Sequence, residues 1–211
     1  SASRAVSYSM ADEVKAPRLE RMGRMIYWMN VSIDLRIERT LNEQGAGDWL
    51  RITDAVHHDF NRRARELACF VQGRVIYETM EGFWPAAAND PSQSEVTREY
   101  GRIWTNTPKV LVSNTRREAS HNTRVVGGSD ALEQLAALRR DTPGNISVGG
   151  ATVATQLLRH GLLDELLLFV HPVILGAGRP LFDDGLAPVR CEPIEHATFP
   201  EGVELHRYAL R

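Results

Sequence analysis

Cysteine is scarce in this chain of 211 residues: Cys69 and Cys191 are the only two, with no Cys-x-x-Cys and no Cys/His ligand spacing around them. That scarcity argues against a disulfide framework and a structural zinc site, suggests no metal centre, and makes a reducing cytoplasm the expected compartment. Neither sign of charge dominates, since 25 Lys and Arg stand against 27 Asp and Glu. A formal charge of −2 leaves no broad basic field for a nucleic-acid backbone or an anionic membrane. No apolar run reaches the roughly 18 to 20 residues of a membrane span, and the first residues lack the charged start and apolar core of a secretory leader. The dinucleotide fingerprint G-x-G-x-x-G is missing too, which argues against an ordinary Rossmann dehydrogenase. Internal repeats and low-complexity tracts are also absent.

What the chain does have is core-forming material. With 43% apolar residues, its length is enough for one domain with a substantial core. Residues 1–24 are polar, mixed in charge and interrupted by Pro17, and are expected to be a flexible N-terminal arm before a single domain over residues 25–211. A β-rich strand is predicted over residues 25–33, followed by a flexible loop over 41–47. Thr53 is placed to cap a helix carrying Val56, Phe60, Ala64 and Leu67 near helical spacing. A short strand over 68–71, a turn at Gly73 and a helix over 75–80 come next, then a loop over 85–93 and a helix over 95–104. Strands over 109–113 and 124–126 flank the polar turn Ser113-Asn114-Thr115-Arg116-Arg117, and Ser129 is placed to cap a helix with Leu132, Leu135 and Leu138. Residues 146–148, 151–160 and 166–173 read as a βαβ-like unit, with Gly161 ending its helix. Residues 191–199 and 203–210 alternate enough to form an antiparallel hairpin at the sheet edge, turning at Pro200-Glu201-Gly202. The pattern predicts a three-layer α/β domain around a mostly parallel sheet.

The strand–turn–helix at Gly149-Gly150 is the most informative stretch. Without Cβ atoms these glycines let the backbone approach a ligand, and the helix that follows points its unpaired N–H groups and positive dipole end toward any anion. Taken alone, the pair reads more simply as a tight turn with no ligand.

Its continuation, from Arg159-His160-Gly161-Leu162-Leu163 to His171-Pro172-Val173-Ile174-Leu175-Gly176-Ala177-Gly178, resembles the C-terminal reductase domain of bacterial riboflavin-biosynthesis proteins and the wider dihydrofolate-reductase-like family. Asn30-Val31-Ser32-Ile33-Asp34 is similar to the family's Ser-x-Asp-Gly first-strand motif. Phe70-Val71-Gln72-Gly73-Arg74-Val75-Ile76-Tyr77-Glu78 resembles its Gly-Arg-x-Thr-Tyr-Glu turn. The resemblance implies a three-layer dihydrofolate-reductase-like fold, with a mostly parallel central sheet and a C-terminal antiparallel hairpin. It also implies an NADPH-dependent reductase that transfers a hydride to a C=N or activated C=C or C=O group of a small planar substrate: pterin-like, pyrimidine-like or a cyclic imine.

By the same resemblance, Gly149, Gly150, Ala151, Thr152 and Val153 would hold the cofactor's pyrophosphate, with Gly73 and Arg74 adding a second helix start and a cation. Ser113, Asn114, Thr115 and Arg116 occupy the place where related reductases bind the adenosine ribose. A hydroxyl beside a forked guanidinium favours NADPH over NADH, with Arg116 and Arg117 both candidates for the 2′-phosphate. On the substrate side the catalytic candidates are Asp34, beside Asn30 and Ser32, and Asp54, with His57, His58 and Asn61 within two turns; each carboxylate reads equally as a turn or helix cap. Trp84, with Phe83 and Pro85, is placed to stack on a planar ligand or to serve as plain core, and Arg179 to reach an anion or face solvent. His171 reads as a satisfied strand histidine. Two departures bear on the pocket. Leu35 stands where the motif has glycine, which disfavours a positive φ there and implies a reshaped loop. Val148 stands where riboflavin-pathway reductases carry a substrate-binding glutamate. The alternatives are the riboflavin-pathway 5-amino-6-ribosylaminouracil phosphate reductase itself and a noncatalytic nucleotide-binding or assembly protein. A homodimer is expected from the edge hairpin and the family habit.

Overall fold

A computed structural model describes residues 22–39 and 47–211. The predicted arm up to residue 21 and all but Gly47 of the predicted 41–47 loop lie outside the described residues. The strands are β1 (Arg24–Ser32), β2 (Leu67–Gly73), β3 (Lys109–Val112), β4 (Thr123–Val126), β5 (Asn145–Gly149), β6 (Glu165–His171), β7 (Cys191–Thr198) and β8 (Glu204–Leu210). They form one sheet in the order β4-β3-β2-β5-β1-β6-β8-β7. All pairings from β4 to β6 are parallel, and only β8 with its two neighbours is antiparallel. The predicted architecture, including the edge hairpin, is the one observed.

The helices are α1 (Asp54–Ala64), α2 (Arg74–Glu81), α3 (Trp84–Ala87), α4 (Glu95–Asn106), α5 (Ala131–Asp141) and α6 (Ala151–Arg159). Strand alternation sorts the core into two faces. Met25, Tyr27 and Val31 of β1 pack with Leu135 of α5 and with Ala154 and Leu157 of α6. Ile26 and Trp28 face the other way, toward Val56 and Phe60 of α1, and the same side holds Tyr77 of α2 and Trp104 of α4. Because the parallel strands are covered on both faces, they read as near-continuous apolar runs.

The element ends follow local chemistry. Thr53 caps α1 as predicted, its hydroxyl accepting from Val56 N, and Ser94 caps α4 through Thr97 N. Lys109, buried at the start of β3, donates its Nζ to the Trp104, Thr105 and Thr107 carbonyls as α4 ends. A cation on those free carbonyls completes the helix end, and burial pulls its pKa down to about 8. After α6, Gly161 takes φ +64°, with Gly161 N donating to Leu158 O and Leu162 N to Leu157 O, so it ends the helix as predicted through a Schellman motif.

Three local expectations are corrected. The predicted 85–93 loop contains α3, because Pro85 falls in a first helical turn, where its missing N–H costs nothing. The residue preceding α5 is Asp130 rather than Ser129, and its carboxylate binds Gln134 Nε2 instead of a helix amide. Leu35 does adopt positive φ, at +55°. The turn holds it there: Leu35 N donates to Ser32 O, Ser32 N to Arg36 O, and Arg36 N to Ser32 Oγ. Leu35 is 46% exposed, and the left-handed conformation costs about 1–2 kcal/mol.

Candidate active site

Three turns stand side by side at the carboxyl edge of the sheet because β3, β2 and β5 are parallel neighbours. These are the turns at Ser113, at Gly73 and at Gly149-Gly150. At two of them a helix starts at once: α2 directly after Gly73, and α6 directly after Gly150. The two starts touch, since a Cβ on Gly150 would lie 3.7 Å from both the Cα and the N of Gly73. Gly150 sits at φ +104°, where a side chain is strained whatever the space. Neither helix start has a side-chain cap or an acidic residue in its first turn. Two sets of free N–H groups and two positive dipole ends are therefore not neutralised by the helices' own residues, which suits a phosphate group. Arg179 adds a cation at α6, its Nη2 lying 2.7 Å from Thr152 Oγ1 and 2.6 Å from Asp183 Oδ1. Arg74 lies along α2, paired with Glu78 at 2.8 Å.

A cleft of about 670 Å³ opens over these glycines. Gly73, Arg74, Gly150, Ala151, Thr152 and Arg179 make one part of its wall. Asn30, Trp49, His57, Phe60, Trp84 and Tyr100 contribute another, mostly aromatic part. His57 packs against the paired Trp84 and Tyr100 rings, each 5.9 Å away, and burial lowers its pKa.

Asn30 is aimed by a buried histidine. His171 is fully buried, and Arg51 N donates to its Nδ1 at 2.9 Å. The ring's proton must then sit on Nε2, which faces Asn30 Oδ1 at 2.9 Å. Asn30 thus presents its oxygen to the histidine and keeps its NH₂ for the cleft. Burial pushes the His171 pKa down to about 4, so the ring is neutral at pH 7. Trp49 packs edge-on against His171 at 5.6 Å, and its buried indole N–H has no partner among the described residues. The Asn30 NH₂ therefore stands beside an apolar wall to which Trp49 contributes. The expected reading of His171, a satisfied histidine, holds at both ring nitrogens.

Several predicted residues do not line the cleft. Asp34 accepts hydrogen bonds from Ser32 Oγ (2.7 Å), Leu175 N (3.0 Å) and Gly176 N (2.9 Å). The Ser32 hydroxyl leads in holding its carboxyl down to about 2, so this pair latches the end of β1 to the 175–176 loop. Asp54 is exposed in the first turn of α1. Gly149 and Val153 stand behind the glycine wall, and Val148 is fully buried in the core. In the third turn, Ser113 Oγ accepts from Thr115 N and Arg116 N, and Asn114 Oδ1 accepts from Gly128 N. Arg116 forms a bidentate pair with Glu81, at 2.7 and 3.0 Å, over the Tyr77 ring. Arg117 is exposed and makes no ion pair among the described residues.

Trp49 and Tyr100 went unnoticed in the sequence, since each is a single aromatic in an unremarkable context. The Asn30–His171 contact spans 141 residues, and no local spacing announces it.

Comparison with known proteins agrees with this geometry. The model of the RibD C-terminal domain family matches residues 25–205. The chain belongs to that family, whose members are reductase domains. Among curated proteins it is 28% identical over 182 residues to the uncharacterized protein YyaP of Bacillus subtilis, covering 85% of this chain and 91% of that one. Among solved structures it resembles the Thermotoga maritima diaminohydroxyphosphoribosylaminopyrimidine deaminase/5-amino-6-(5-phosphoribosylamino)uracil reductase. The TM-score is 0.58 at 16% identity, over 92% of this chain and 58% of that chain. The Enterococcus faecalis dihydrofolate reductase complexed with NADP(H) superposes with a TM-score of 0.53 at 14% identity, over 90% and 95% of the two chains. These structural likenesses establish a dihydrofolate-reductase-like fold. No helix among the described residues is long and apolar enough to cross a membrane.

Proposed function

We propose that this chain is an NADPH-dependent reductase of a small planar substrate carrying a hydrogen-bond acceptor. The observation that supports it most is the meeting of two uncapped helix starts at Gly73 and Gly150, where any side chain on Gly150 would be strained. In this reading the backbone of residues 149–153 and of Gly73 holds the pyrophosphate, with Arg74 and Arg179 supplying positive charge. Ser113, Asn114, Thr115 and Arg116 frame the adenosine ribose, and the exposed Arg117 takes the 2′-phosphate. Once bound, the nicotinamide supplies the hydride. Asn30 orients the substrate's acceptor atom through its N–H donors, while Trp49, Trp84 and Phe60 wall its plane and exclude water. Asp34 is a positioning residue that fixes the end of β1, where Asn30 resides. Neither Asp34 nor Asp54 lines the cleft, whose proton-carrying side chains are Glu38, His57 and Tyr100, so the proton that completes the reduction comes from one of these or from water at the mouth.

Fluorescence titration of the protein with NADPH and NADH tests the cofactor half of this reading. Turnover is then assayed with dihydrofolate, with 5-amino-6-ribosylaminouracil phosphate, with cyclic imines and with activated enones. Tight NADPH binding and oxidation by at least one of these is the expected result; a folded protein that binds no NADPH overturns the proposal. With the accepted substrate, Asn30→Ala should raise KM up to about tenfold, the worth of one hydrogen bond, and leave NADPH affinity unchanged.

A further inference from the structure

We propose that His196, Glu204 and His206 form a binding site for a divalent transition ion of the zinc class on the outer hairpin, apart from the cleft. The register of β7 and β8 places His196 directly opposite His206 and Thr198 opposite Glu204. Strand periodicity puts residues 204 and 206 on one face, and antiparallel pairing brings residue 196 to that same face. The opposite face is occupied, with Ala197 and Leu205 packed toward Val56 of α1, so the ribbon is anchored from behind.

The three candidate ligand atoms, one ring nitrogen from each histidine and a carboxylate oxygen, lie within 4.8 Å of one another. His196 Nε2 is 2.7 Å from Glu204 Oε2, and the two imidazole centroids are 4.8 Å apart. Tetrahedral zinc, with ligands about 2.0–2.1 Å away, needs donor atoms about 3.4 Å from one another, so small side-chain rotations suffice. Supporting partners are already in place. Thr198 Oγ1 donates to the same Glu204 oxygen at 3.1 Å, and Tyr208 Oη lies 3.4 Å from His206 Nδ1. Two imidazoles and one carboxylate suit zinc, cobalt or nickel, whereas magnesium and calcium prefer all-oxygen shells. Three protein ligands leave a coordination position for water. An ion held from both strands would staple the sheet edge, and only neutral imidazoles can bind it, so protons compete for the site.

The test titrates the tag-free full chain with Zn²⁺ and, separately, with Co²⁺. One equivalent of zinc should bind and raise the melting temperature; cobalt should give visible ligand-field absorption that zinc abolishes and magnesium does not. His196→Ala and His206→Ala should each weaken zinc at least about tenfold, and Thr198→Val by about tenfold or less, through the freed carboxylate. Metal-free melting curves identify any variant that folds poorly, and Glu204→Gln, nearly isosteric, should keep the metal-free melting temperature and weaken zinc at least about tenfold. An unchanged equivalent of zinc in the His196→Ala/His206→Ala double variant, or no cobalt absorption in the unaltered protein, overturns the proposal.

Discussion

The two parts of the cleft wall are made of different material. Around Gly73 and Gly150 the useful groups are main-chain N–H donors at helix starts, which have no rotamers to order and no pKa near neutrality. Around Asn30 and Trp49 they are side chains whose aim depends on a buried histidine, a backbone N–H and the position of one proton. The first kind of site tolerates pH but not added volume. The second tolerates volume at its rim but depends on a protonation state.

The largest expected effect breaks the backbone side of this contrast. Gly150→Val should lower NADPH affinity at least about a hundredfold, or about 2.7 kcal/mol, because its branches fill the phosphate approach. Gly150→Ala separates strain from blockage: its Cβ has 3.7 Å to Gly73, so it should cost about 1–3 kcal/mol of stability while sparing more of the binding. Melting curves run beside the titrations check this, and a folded Gly150→Val protein with unimpaired affinity would remove the cradle.

Acidification should act on the other side. The folded His171 pKa, near 4, lies below the value of about 6.5 expected on unfolding. The neutral ring's contribution is therefore complete above about pH 6.5 and is lost as pH falls toward 4. Between pH 7.5 and 5 this amounts to about 2 kcal/mol. Urea unfolding of the unaltered protein and of His171→Gln at both values measures it; the variant should lack that increment. Equal pH dependence in the two proteins would deny His171 this role.

The smallest effect concerns the third turn, whose donors are already committed internally. Arg116→Ala should cost no more than about 1 kcal/mol of stability through the partly exposed Glu81 pair, with little change in the NADPH-to-NADH affinity ratio. Arg117→Ala should reduce that ratio about tenfold, the loss of one charge-assisted hydrogen bond. The reverse ranking would show that Arg116 leaves Glu81 when the cofactor arrives.

The same contrast explains what could be read in the sequence. Gly73 and Gly149-Gly150 are local signals, strand then glycine then helix, and parallel pairing brings them together almost automatically. The edge hairpin was legible for the same reason, from alternation around Pro200-Glu201-Gly202. Asp34 misled because a carboxylate at the end of a strand looks the same whether it faces a cleft or, as here, the amides of residues 175 and 176. Leu35 misled because propensity describes an isolated residue, whereas three hydrogen bonds around the turn outweigh it. The Asn30–His171–Arg51 chain joins residues far apart in sequence, which no window displays, whereas the His196–Glu204–His206 cluster sits within one hairpin and depends on its exact register.

The near-contact of Gly73 and Gly150 also has a mechanical side. It joins α2 and α6, which pack on opposite faces of the sheet, at the residues that immediately precede them. With no side chain between them to act as a spring, this joint is the stiff corner of the cleft. Beside it, main-chain bonds tie segment 37–38 to Arg179, with Gly178 pressed against the Glu38 carbonyl. An anion seated on both helix starts would therefore bear on helices from both faces of the sheet at once.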